Sequence, residues 1–196
     1  MRNMKADENP VIVNIKTRRS VREYLDTPLS EETIKKIIDA GRYAPTGLNL
    51  QPWHFIVVQN KGMLKKLSEY AKPILAKNLE GRNDAAAINF MKRLQDKNFN
   101  LFYNAPVLIL VIGSKNNALT DYDCSLCAGN MMLAAHSMGI GSCWIGGAAV
   151  IQQSAELMAE LKIPPDYKLV APVIFGYQKT IPPIPEKREP VVFWMR

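Results

Sequence analysis

The chain has 196 residues, 47% of them apolar and 22% charged, a balance that excludes a disordered polyelectrolyte and leaves enough apolar side chain for a sizeable core. No run of about eighteen apolar residues occurs, which argues against a membrane span, and the opening Met-Arg-Asn-Met-Lys-Ala-Asp-Glu lacks the apolar stretch of a signal peptide. The net charge of +7 is spread out, concentrated only at Lys16, Arg18, Arg19 and Arg22 and without interleaved aromatics, so a nucleotide-like phosphate suits it better than nucleic acid.

In chain order, Val11, Ile12 and Ile15 predict a first helix over about 11–18, with the arginines on its last turn and exit, where cations are favoured. Ser30 follows Pro28 as an N-cap, Glu31 and Glu32 fill the first turn, and Ile34, Ile37, Ile38 and Gly41 recur at helical spacing. That second helix ends before Pro45. Pro, Thr, Gly and Asn make 44–52 a loop, and Phe55 to Gln59 reads as a strand closed by Asn60-Lys61-Gly62. Helical patterning resumes over 63–70 and about 75–101, interrupted at Pro73. Val107 to Ile112 is a continuous apolar run, the pattern of a central buried strand.

From Asp121 to Met138 the residues are small or apolar nearly all round, so this helix belongs in the core or at a subunit interface, and Gly139 ends it. Ser142 to Ile145 reads as a short strand, Ile151 to Leu161 as a helix and Leu169 to Tyr177 as a strand. Pro172 argues against a central, fully bonded place for that last strand. Four prolines hold 182–190 extended, and the apolar end Val191-Val192-Phe193-Trp194-Met195 would be a sticky patch if loose. It is expected to pack as a strand on a sheet edge, on this chain or on another subunit. Without repeats or a linker, residues 1–196 read as one domain with a C-terminal arm from about 178 to 196.

Two segments carry the chemistry. Arg18, Arg19 and Arg22 adjoin as like charges, which costs a few tenths of a kcal/mol per pair on an isolated helix. An anion reverses that sign through charge-assisted, often bidentate hydrogen bonds; a solvated basic face is the plainer alternative. Gly139, Gly141, Gly146 and Gly147 serve as turn glycines and equally permit close backbone approach to a ligand. Bare amides of that kind can donate to a flat heteroaromatic ring, so the two segments together point to a bound phosphorylated cofactor. Asn49 and Gln51 read, on loop chemistry alone, as satisfying their own backbone, and Trp53 as a core aromatic. Cys124 and Cys127 lack a second ligand pair and read as soft core filler with Met131 and Met132 rather than a metal site. Three cysteines are an odd count for a disulfide framework and favour a reducing cytosol. No Ser–His–Asp or paired-carboxylate constellation is present in the pattern.

Arg18-Arg-Ser-Val-Arg22, Ala44-Pro-Thr-Gly-Leu-Asn-Leu-Gln-Pro-Trp-His-Phe55, Ala105-Pro-Val-Leu-Ile109, Ala134-Ala-His-Ser-Met-Gly139, Gly141-Ser-Cys-Trp-Ile-Gly146 and Phe175-Gly-Tyr177 together closely resemble the FMN-dependent nitroreductase family, in order, over about residues 12–190. The resemblance implies an α+β fold, a central and mostly antiparallel sheet flanked by helices, in a homodimer whose subunits exchange terminal segments around two FMN molecules. It places Arg18, Arg19, Ser20 and Arg22 on the phosphate and ribityl oxygens, with Arg188 of the arm completing the site and Lys187 its weaker neighbour. It places Pro45, Thr46, Gly47 and Asn49 against the flavin from the partner subunit, and Trp144, Ile145, Gly146 and Gly147 at N5 and O4 of the ring.

Gly146 stands where many larger relatives carry an acidic residue, a change without effect on a backbone contact. Residues 75–104, which in the family help form a lid, match nothing recognisable. The implied activity is ping-pong reduction of nitroaromatic or quinone-like small aromatic acceptors by NADH or NADPH, carried by flavin N5, in the cytoplasm and without metal, nucleic acid or membrane. Reductive dehalogenation, oxygen-dependent flavin breakdown and a flavin-binding module without turnover remain as alternatives.

Overall fold

Side-chain caps set where the first helices begin. Asn9, Ser30, Asn60 and Asp84 each accept from a backbone N–H two or three residues on, opening α1 (Pro10–Thr17), α2 (Glu31–Gly41), α3 (Lys61–Asn78) and α4 (Ala85–Gln95). The computed structural model describes residues 9–196, so the reading of the first eight residues as no signal peptide lies outside it. The expected interruption at Pro73 does not occur, because α3 runs through it. Pro73 forfeits the bond its N–H would make to the Glu69 carbonyl, a cost of about 3 kcal/mol. Burial of Leu64, Leu67, Ser68 and Ala71 on the same helix offsets it.

Four strands form one antiparallel sheet in the order β1-β2-β4-β3: β1 (Trp53–Val58), β2 (Val107–Ser114), β3 (Ile140–Trp144) and β4 (Tyr167–Tyr177). The continuous apolar run of β2 reflects two cores, one on each face. Leu108, Leu110 and Ile112 point into a cluster with Leu67, Ala71 and Phe102, while Val107, Ile109 and Val111 point into another with Ile37, Cys127 and Phe175. Alternation at a period of two puts successive side chains on opposite faces, so a strand between two cores has no polar side.

Pro172 is the clearest correction. β4 lies between β2 and β3 and not at an edge. The Pro172 carbonyl accepts from Ile145 N at 2.8 Å, on the β3 side, so its missing N–H also faces β3, at the rung where β3 ends. A register shift opposite Val111 and Ile112 further loosens the β2–β4 ladder there.

The apolar helix is α5 (Thr120–Ser137), with Cys124, Cys127, Ala128, Met131 and Ala135 buried against the sheet. Tyr122 and Leu126 remain exposed on α5, as do Val11 and Ile15 on α1, which is tied to α5 by Asn14 Nδ2 donating to the Leu133 carbonyl at 3.0 Å. Within one chain, then, α5 is half covered. In place of one helix over 151–161, a 3₁₀ segment (Gly146–Gln153) is followed by α6 (Ala155–Glu160), with Ser154 capping the latter. No helix among the described residues is long and apolar enough to cross a membrane. The arm leaves β4 beside Glu23, with Lys179 N on the Glu23 carbonyl at 2.9 Å, and then joins no strand of its own chain. Phe193 and Met195 are 89% and 99% exposed, so the expected packing of the tail is not made among the described residues.

Trp53, Cys124 and Cys127 are core residues. Burial pushes both thiols up to about 12, with the Asp123 carboxylate adding to the rise at Cys124. In an unfolded chain they ionise near 8.5, so the stability they confer is complete below about pH 8.5 and declines as pH rises towards 12. Iodoacetamide at pH 8 is therefore expected to label neither cysteine in the folded protein and both in denaturant, as counted by mass spectrometry. Rapid labelling of the folded protein would contradict their burial.

Candidate functional site

Helix α1 stops because Arg18 turns extended (φ −56°, ψ 138°), and the chain then runs alongside β3. Val21 N donates to the Ser142 carbonyl at 3.0 Å and Ser20 bridges Ser142 in parallel, so 18–22 forms a short rung on the outer side of that strand. Gly141 allows the approach. A Cβ there would stand 2.8–2.9 Å from three side-chain atoms of Val21, which is itself buried.

The basic residues on this rung are unevenly committed. Arg19 Nη1 donates to the carbonyls of Lys16 (2.8 Å) and Arg18 (2.6 Å), which stiffens the turn. Arg22 donates, among the described residues, to the Ser20 carbonyl alone, at 3.5 Å. None of Arg18, Arg19 and Arg22 pairs with a carboxylate among the described residues. The local potential is felt by His136, which shares a 2.9 Å hydrogen bond with Thr17. Burial, then Arg18 and Arg19, hold its imidazole below the usual histidine range. Ser142 Oγ is buried beside the rung without a hydrogen-bond partner.

The other end of β3 offers amides. Ile145 N is committed to the Pro172 carbonyl, and Trp144 lies in the ladder opposite Val173. Gly146 and Gly147 open the 3₁₀ segment, where the first N–H groups have no intrahelical acceptor. Gly146 is exposed and a Cβ there would meet nothing within 4 Å, whereas a Cβ on Gly147 would stand 3.0 Å from Leu75 and 3.7 Å from Leu101. Three residues separate Ser142 from Ile145, roughly 10 Å of strand. Unmatched guanidiniums at one end and unbonded glycine amides at the other fit an elongated ligand with an anionic group and a flat, hydrogen-bond-accepting ring.

Pro45, Thr46, Gly47 and Asn49 are not brought to this strand. Their loop leads into β1, the opposite edge of the sheet, about 14 Å away at three strand spacings. There Gly47 N donates to Asp123 Oδ1 at 3.4 Å, and a Cβ on Gly47 would overlap Leu119. Asn49 Oδ1 accepts from Gln51 Nε2 at 3.0 Å, so the two side chains pair with each other rather than with their own backbone. Leu48, Asn49 and Gln51 all have left-handed φ (52°, 56° and 44°), a conformation costing about 1–3 kcal/mol for non-glycine residues. Arg188, in the arm, is exposed and makes no hydrogen bond or ion pair among the described residues.

One cluster was not signalled by any motif. Arg93, at the end of α4, and Arg22 face the same Tyr103 ring, at 5.0 and 5.9 Å from its centroid. Only Asn104, tolerant of left-handed backbone, hinted at the unusual turn that presents Tyr103.

The chain belongs to the nitroreductase family, whose model matches residues 15–177. An Archaeoglobus fulgidus protein, provisionally named an NADH dehydrogenase/NAD(P)H nitroreductase, is 35% identical over 170 residues, 84% of this chain and 83% of that one. Among solved structures, a Bacteroides fragilis nitroreductase with bound FMN superposes with a TM-score of 0.79 at 29% identity, covering 96% of this chain and 100% of the other. A Desulfitobacterium hafniense nitroreductase with bound FMN gives 0.83 at 25% identity, with the same coverage.

Proposed function

We propose that this protein is an FMN-dependent NAD(P)H oxidoreductase that reduces nitroaromatic or quinone-like acceptors as a homodimer. The observation carrying this reading is β3 itself, with guanidiniums unmatched by carboxylate at one end and the unbonded amides of Gly146 and Gly147 at the other. FMN fits both ends, and when bound it supplies the hydride transfer between nicotinamide and acceptor. Arg18 and Arg22 hold the phosphate, Arg19 braces the turn that presents them, and Ser20 offers its exposed hydroxyl. Gly146 and Gly147 donate to the ring, and the open space at Gly146 leaves room for a second flat molecule. Fixed donors of this kind need no reorganisation as charge develops on the ring.

The dimer follows from what one chain leaves apart. Pro45, Thr46, Gly47, Asn49 and Arg188 reach the ring and phosphate of a flavin only when supplied by a second copy. The exposed apolar residues of α1 and α5 support that association. Alone, Val11 and Ile15 on α1 and Tyr122 and Leu126 on α5 would stay exposed to water.

The test is flavin retention. Arg18→Ala and Arg22→Ala are each expected to weaken FMN binding by about 1.5–3 kcal/mol, roughly one to two decades in Kd, read by fluorescence titration of the apoprotein. Wild-type affinity in both variants would sink the phosphate assignment. Bleaching of the purified protein's visible flavin bands by NADH or NADPH under anaerobic conditions separates an enzyme from a storage module.

A further inference from the structure

Arg93 occupies a built setting that the proposed cofactor site does not use. Its guanidinium sits in a corner between Phe99 and Tyr103, 4.9 and 5.0 Å from the two centroids. The rings meet edge to face, 5.6 Å apart at 79°. A cation over an aromatic face keeps its N–H edges for other partners. Among the described residues, the Arg93 side chain makes no hydrogen bond and meets no carboxylate.

The corner is held rigid by its own backbone. Tyr103 and Asn104 are consecutive non-glycine residues with left-handed φ (53° and 55°). Tyr103 N is tied to the Asn100 carbonyl at 2.9 Å, Phe102 N to Asn100 Oδ1 at 2.8 Å, and Leu101 N to the buried Ser68 Oγ at 2.9 Å. The same segment flanks β3 along its length, since Leu101 approaches Gly147 while Tyr103 faces Arg22. A cation with vacant donors thus meets this segment at Tyr103, the same ring that Arg22 faces beside β3.

We propose that Arg93, backed by Phe99 and Tyr103, is an anion-recognition residue of the substrate pocket, and that the pocket prefers molecules bearing a carboxylate or phosphate to neutral ones. The proposal rests on the flavin reading above for the pocket's position. The oxyanion has two chemical sources, a carboxylate on the aromatic acceptor or the 2′-phosphate of NADPH.

Calorimetric binding to the flavin-loaded protein tests this without turnover, using 4-nitrobenzoate against nitrobenzene and NADP⁺ against NAD⁺. The wild-type protein is expected to bind the anionic member of at least one pair more tightly. Arg93→Gln should shrink that preference about tenfold, and Arg93→Lys, which keeps the charge but not the fork, should fall between. A change confined to the nitrobenzoate pair assigns Arg93 to the acceptor; one confined to the dinucleotide pair assigns it to the 2′-phosphate. Unchanged preferences in Arg93→Gln overturn the proposal, as does loss of flavin from that variant, which would make Arg93 a cofactor ligand. Wild-type protein that binds no flavin would instead defeat the functional reading.

Discussion

Removal of residues 181–196 is expected to convert a yellow dimer into a colourless monomer. The arm carries Phe193, Trp194 and Met195 largely exposed, and it has no strand partner among the described residues. Nine extended residues, 182–190, reach roughly 30 Å, enough to cross to a neighbouring subunit. The outer edge of β1 offers a place to land. It is unpaired among the described residues and borders a groove of about 620 Å³ lined by Ile56, Val57, Met63 and Leu161. An unpaired strand edge invites an added strand, and burying each large apolar side chain of the arm contributes about 1.5–3 kcal/mol. Arg188 travels with the arm, so on the proposed reading its loss would remove a phosphate contact together with the clasp. Size-exclusion chromatography with light scattering, alongside the absorbance spectrum, reads both effects at once. A truncated protein that stays dimeric and yellow would make the arm a bystander and remove Arg188 from the site.

The second large effect concerns Phe102. It is fully buried in the cluster formed with Leu67, Leu108 and Ile151, and it anchors the turn that presents Tyr103. Phe102→Ala should destabilise the fold by about 3–5 kcal/mol, because the cavity left behind cannot fully collapse. For a chain of this size that corresponds to a melting temperature lower by about 10 °C. Denaturant unfolding with an unchanged slope would give the free energy directly. A loss below about 1 kcal/mol would mean that the turn repacks, and that its left-handed residues are not held by this anchor.

Local chemistry made much of this fold readable from the chain. The Ser30 cap, the helical spacing of Ile34 and Ile37, and the apolar run of β2 each carry their own signal, and each lies where that signal put it. What misled were residues whose cost is met by distant partners. Pro73 reads as a break until the buried face of α3 is known, and Pro172 reads as an edge until β3 is seen to end beside it. The tail's apolar composition was plain, but composition cannot say which chain covers it. Of the proposed site, Arg18 to Arg22 and Gly146 stood out in the chain because guanidinium clusters and glycine pairs are unusual. Arg93 was not, since a lone arginine on a polar helix is ordinary until Phe99 and Tyr103 close around it.

The loop at 45–51 carries a kinetic consequence. Leu48, Asn49 and Gln51 already hold left-handed backbone, pinned by Asp123 and by the Gln51–Asn49 contact. Its shape is set before any ligand arrives, so closing on a flavin from across a subunit boundary would cost little chain entropy. Capture would then be limited by how often cofactor and docked surface meet rather than by a folding step. In the proposed dimer the arm, by contrast, would have to be ordered each time two subunits join, and assembly would be the slow event.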